Sequence, residues 1–286
     1  MKPEPLVSLY AKIEWANSEI EKLNTAIIRY FETNPCEVKS KINAEGTEEI
    51  WRFHWKHKIP ESMRIQVGNI LKNLRDPLDQ VLAAVSMMHR GKNNGVSFPF
   101  GSAIHEYEAE IAKLEKLLPT DAIELIRRAN TQRGGNSHLR GLHFINREDK
   151  HRSGLVIINM SGDFSMSSLK VFEGGYLIRM GYTHGQSLVA PAKPVKPSFT
   201  KGQAIIKPAP AGPVVQFKPN IEVGDDDMEF LTTTPGTIFE AELMPSLNIA
   251  FGKAAGLERE PIVVALHQTS QLVEGNVLTF ERRFFP

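Results

Sequence analysis

The chain has 286 residues, 41% of them hydrophobic, with a net charge of +1 and one cysteine. That composition supports a real core in one large or two modest domains. It excludes an intramolecular disulfide, a cysteine-cluster zinc site and a polybasic coat for nucleic acid or membrane. No run approaches the roughly 18 apolar residues a membrane helix needs, and Met-Lys-Pro-Glu-Pro does not open like a signal peptide. A cytoplasmic, membrane-free setting is expected.

Leu6, Leu9, Ile13, Ala16, Ile20, Leu23, Ile27 and Tyr30 recur three or four residues apart. This predicts a long amphipathic helix with a narrow apolar seam. The seam either docks on neighbouring helices or pairs two copies in a homodimer through the N-terminal helices. Cys36 to Asn43 and Glu48 to His57 have strand composition around Ala44-Glu-Gly-Thr47, which predicts a hairpin. His54 and His57 are three apart, so a strand sends them to opposite faces and they share no metal.

After Pro60, the residues Ile70, Leu74, Leu78, Val81 and Val85 mark a helix. Pro77 lies inside it and should kink or restart it, with Asp76 as the cap of the restart. Ser97-Phe-Pro-Phe100 reads as a rigid apolar connector. A helix is expected from Ile104 to Leu118, and another from Asp121 to about Thr131, opened by capping-box spacing at Asp121-Ala-Ile-Glu124. Gly134-Gly135 breaks it, and a helix through Leu139 and Leu142 follows.

Beyond Arg152 the texture turns to strands: 155–158, 176–180, 214–217, 229–232, 237–243 and 247–251. The segment from Val189 to Pro219 is rich in proline and lysine and predicts an irregular, exposed loop. Pro261 opens a last helix with a stripe at Ile262, Leu266, Thr269, Val273, Val277, Phe280 and Phe284. The fold class expected is α+β: an N-terminal helical domain over 1–152 with a short β-hairpin insertion, then a β-rich domain over 153–286 with a closing C-terminal helix.

Two polar groups interrupt the apolar stripes. Arg75 and Asp79 sit one helical turn apart beside the first. Asn146 and Asp149 continue the second, followed by Lys150, His151 and Arg152. Buried charge needs partners, so the two groups are expected to meet as one cluster between two helices. His151 has the chemistry of a general acid or base near neutral pH. Arg75, Lys150 and Arg152 could hold phosphate oxygens, and Asp149 or Asp79 could orient an imidazole. These are ingredients for metal-independent phosphodiester cleavage, and equally for a salt-bridge network that only fixes helix packing. From Arg127 to Arg152 lie six arginines and one lysine against Glu148 and Asp149, a local basic segment suited to RNA or a nucleotide. Asp225-Asp-Asp227 reads as an acidic turn. No metal site or cofactor is implied.

Asn73-Leu-Arg-Asp-Pro-Leu-Asp79, Phe98-Pro-Phe100 and Asn146-Arg-Glu-Asp-Lys-His-Arg152 together resemble a widespread group of uncharacterised bacterial and phage proteins. The resemblance covers Ile59 to Arg152 and brings Asn73 into the ligand-binding set with Asp79, Asn146, Lys150 and Arg152. In that group a histidine often follows the motif's aspartate, which looks like the ribonuclease motif of HEPN helical domains, where two protomers form a composite RNA-cleaving site. Here that position is Gln80, which cannot carry a proton. The resemblance therefore implies either that His151 supplies the imidazole or that this chain is a non-catalytic relative. Three classes stay open: a protein-interaction or scaffold component, with a defence or toxin-like system as its setting; an RNA- or nucleotide-binding module; and a ribonuclease acting through His151, Arg75 and Asp149.

Overall fold

A computed structural model describes residues 4–101, 103–132, 134–148, 158–173, 176–180, 193–194, 216–217, 221–223, 228–233, 235, 238–251, 257 and 260–286. The protein is mixed helix and strand, and it divides into two compact units. The first takes residues 1–33, 59–159 and 249–286; the second takes 34–58 and 160–248. The units do not follow chain order. The early hairpin groups with later strands, and the last helix groups with the first ones.

In the first unit, α1 (Glu4–Glu32), α2 (Glu61–Arg90) and α6 (Ile262–Phe284) pack on one another pairwise. The α1 seam is their meeting line: Leu6, Leu9, Ile13, Ala16, Ile20, Leu23, Ile27 and Tyr30 are all buried. The α6 stripe answers from the other end of the chain, with Ile262, Leu266, Thr269, Val273, Val277 and Phe280 buried and Phe284 half-buried. Burying a Leu, Ile or Val side chain yields about 1.5–3 kcal/mol, so this three-helix seam carries much of the unit's stability. α5 (Ser137–Glu148) packs on α2 and α6, and α4 (Thr120–Ala129) on α6. α3 (Ile104–Leu114) buries Tyr107, Ile111 and Leu114. Gly141 of α5 is where Leu257 seats: a Cβ there would lie 2.4 Å from the leucine's Cδ1.

Pro77 neither ends nor restarts its helix. α2 runs through it as one element, with the ring buried and one backbone N–H missing from the helix ladder. Asp76 therefore has no helix start to cap, and instead takes Lys12 Nζ at 2.6 Å. The capping-box spacing at Asp121 is likewise unused. Pro119 is the N-cap residue of α4, without a side-chain cap bond, and Asp121 reaches across to Arg283. The glutamate that does tie down a helix start is Glu106, whose Oε2 accepts the Ala103 N–H at 3.2 Å.

In the second unit, β1 (Cys36–Ile42) and β2 (Glu49–Trp55) form the expected hairpin, antiparallel from Cys36↔Trp55 to Ile42↔Glu49. Asn43 Oδ1 accepts the N–H groups of Thr47 and Glu48 at 3.0 and 3.2 Å, closing the turn. β3 is Ile158–Glu173, β4 Tyr176–Met180, β5 Lys193–Pro194, β6 Gln216–Phe217, β7 Ile221–Val223, β8 Met228–Thr233 and β9 Ile238–Phe251. The sheets run β1-β2-β8-β6 and β5-β4-β3-β7, with β9 pairing β3. The two last strands expected from sequence are thus one 14-residue strand. Trp51 Nε1 donates to Thr233 Oγ1 at 3.1 Å across the β2–β8 pair. His57 falls beyond the end of β2, so strand alternation does not relate it to His54. Most of the Val189–Pro219 segment and all of Asp225–Asp227 lie outside the described residues.

Candidate functional site

α2 aims Arg75 and Asp79, one turn apart, at the connector 97–100. Phe98 is buried, and an irregular segment there has backbone polar groups that neither a ladder nor water satisfies. The pair satisfies both groups of Phe98. Its N–H donates to Asp79 Oδ1 at 2.6 Å, and Arg75 Nη2 donates to its carbonyl at 3.1 Å. The next carbonyl, of Pro99, accepts from the buried Thr131 Oγ1 at 2.7 Å. Past it, Gly101 runs so close to α3 that a Cβ would stand 2.7 Å from that of Tyr107. Tyr107 is itself buried and donates its hydroxyl to the Ile126 carbonyl at 3.3 Å. Burial foremost raises its phenol's pKa, so the donor keeps its proton.

Arg75 and Asp79 also touch each other, Nη1 to Oδ1, at 2.7 Å. No N–H of Nη1 points well enough at the oxygen for a directed hydrogen bond, so this contact is ionic. The guanidinium lies 4.5 Å from the centroid of the Phe100 ring. Phe100 in turn stacks on His143 of α5, centroids 4.5 Å apart and planes within 3°. Phe100 thus joins a cation of α2 to an imidazole of α5. In front lies a cleft of about 560 Å³ lined by Arg75, Phe100, His105, Glu106, His143 and Phe144, among others. Its charges are engaged: Arg75 with Asp79, Glu106 with the α3 start, and Glu110 with Lys113 at 2.5 Å.

The structure brings Arg75 and Asp79 together at one point. Asn73 turns back along its own helix, donating Nδ2 to the Asn69 carbonyl at 2.9 Å. Asn146 is buried on α5, the helix that also carries His143. Asp149, Lys150, His151 and Arg152 lie outside the described residues. Gln80, at the place of the motif histidine, shields its Oε1 from solvent and hydrogen-bonds it to no described residue. Within the basic segment, Arg127 forks onto Glu108 at 2.7 and 2.8 Å, and Arg140 lies 5.8 Å from the Phe144 centroid. The Arg127 bond lowers the pKa of Glu108, and the Glu108 bond raises that of Arg127.

Thr131 and His143 carried no signal that the sequence reading used, and Phe100 was read only as part of an apolar connector. Histidine 143 was two turns from His151 and outside the polar stripe, but a planar residue opposite an aromatic connector is a signal for stacking. No described group of His, Cys, Asp and Glu could hold a metal ion. No helix formed by described residues is long and apolar enough to cross a membrane. The chain matches no family model, no curated protein and no solved structure.

Proposed function

We propose that the protein is a cytoplasmic interaction or scaffold component, with the Arg75–Asp79 pair as a structural clamp. One observation carries this reading: the pair takes both backbone polar groups of buried Phe98. An arginine engaged by a carboxylate, a carbonyl and an aromatic ring is poorly placed to follow charge through a reaction. The test is Arg75→Lys, which keeps the charge but cannot fork between Asp79 and Phe98 while lying flat on Phe100. A clamp predicts a lower urea midpoint. A catalytic arginine predicts an unchanged midpoint with lost cleavage of a mixed RNA panel in metal-free buffer.

The second reading is HEPN-like RNA or nucleotide binding, supported by the Arg75–Phe100–His143 stack that opens on a cleft. Its enzymatic form, a metal-independent ribonuclease of a defence or toxin-like system, rests on His151 with Asp149 as its orienting carboxylate. His151→Ala should then remove about 10²–10⁴-fold of the cleavage rate at an unchanged melting temperature. A homodimer through the N-terminal helices has to use the far side of α1, where Val7, Trp15 and Ile28 are exposed, because the seam is covered by this chain's own α2 and α6.

A further inference from the structure

The basic segment 127–152 is not the only source of cations in the helical unit. α4 and α6 meet, and between them lies a groove of about 410 Å³ lined by Asp121, Glu124, Arg128, Thr279, Arg282 and Arg283 with Leu125. Arg283 is held by Asp121, Nε to Oδ2 at 2.7 Å, with Nη2 closing on the same oxygen. That pair cancels. Arg128 and Arg282 are exposed and make no hydrogen bond or ion pair with a described residue. Glu124 is the one uncompensated acid among the lining residues, so the groove keeps an excess positive charge. Residues 128 and 282–283 lie on helices distant in sequence, and helix packing brings them to one concave place.

We propose that this groove binds the phosphodiester backbone of single-stranded RNA, with Arg128 and Arg282 as the phosphate contacts and Arg283 held in place by Asp121. This rests on the second reading above and narrows it from the run 127–152 to Arg128 of that run together with the arginines at the end of α6. Guanidinium groups suit phosphate oxygens better than ammonium groups do, because they present paired donors in a plane. A short groove with two free cations fits a flexible single strand better than a duplex, which needs contacts along a broad face. Both free arginines also stand in the last turns of their helices, where they complement the helix dipoles. A dipole role alone would alter stability and leave binding untouched.

The experiment uses the full chain and a fluorescent 20-mer of mixed RNA sequence, titrated between 50 and 200 mM salt. Two phosphate contacts contribute about −1.4 to the slope of log affinity against log salt, or about sevenfold over that range. Arg128→Gln with Arg282→Gln should flatten the slope by that amount. Glu124→Gln, which removes the opposing charge, should tighten binding. Melting curves establish that each variant is folded, and a variant that fails is replaced by the single Arg282→Gln. If wild type binds and neither change moves affinity or slope, the groove is overturned while RNA binding elsewhere stands. If wild type does not bind, both the groove and the RNA reading fall.

Discussion

Among its described residues the helical unit contains two arginine–aspartate pairs of the same chemistry in different surroundings. Arg75 with Asp79 closes on a buried backbone, the arginine side chain only 11% exposed. Arg283 with Asp121 lies at the surface, with side chains 60% and 43% exposed. The surface pair exchanges hydration for Coulomb attraction nearly evenly. The half-buried pair, with Asp79 38% exposed, is not so evenly balanced, because removing Arg75 leaves the carbonyl of buried Phe98 without its donor and Asp79 without its cation. Motif-like spacing of charges says little about their worth; what lies behind them decides it.

The largest expected effect is at Arg75. Arg75→Ala should cost about 1–3 kcal/mol in urea denaturation; an effect as small as that of a surface pair would erase the contrast. Thr131→Val removes the donor to the Pro99 carbonyl at nearly constant volume, and should cost about 1–2 kcal/mol. Additivity of Arg75→Ala and Thr131→Val within error would show that the two hold the connector independently, whereas coupling would show one clamp.

Tyr10 and Glu281 lie between the extremes. The phenol of buried Tyr10 donates to Glu281 Oε2, joining α1 to α6. Burial first, then that bond, raises the phenol's pKa well above its ordinary 10.0. A raised folded-state pKa contributes stability that is complete below the unfolded value and lost as pH rises above it. Melting temperature should therefore fall above about pH 10, and Tyr10→Phe should flatten that alkaline limb. An identical limb in the variant would assign it to other groups. The smallest effect is at Arg283→Ala, below about 0.5 kcal/mol and reduced further by salt. A loss matching Arg75→Ala would overturn the comparison from the other side.

The apolar stripes of α1, α2 and α6 were legible residue by residue, because a helix repeats every 3.6 residues and a core accepts only one face. The β1–β2 hairpin was legible for the same kind of reason, at period two. The clamp was legible in half. Arg75 and Asp79 stood out as charges beside an apolar stripe, and the connector stood out as rigid and apolar. That the connector's own backbone is what the charges hold was not visible, since a sequence displays side chains and not carbonyls in need of donors. Pro77 did not restart the helix as local chemistry allows, since one lost bond is small against the burial along α2.

What the chain determined by itself is therefore its helices, their inward faces and its hairpin, all products of periodicity over short distances. What only the tertiary structure decided is partnership. Phe98 finds Asp79 and Arg75 at separations of 19 and 23 residues, Thr131 finds Pro99 at 32, and Asp121 finds Arg283 at 162. Each bond needs the helices already packed to bring its ends within 3 Å or so, the reach of a hydrogen bond. Local pattern sets which faces turn inward, and closure of the core then selects which polar groups on their margins meet.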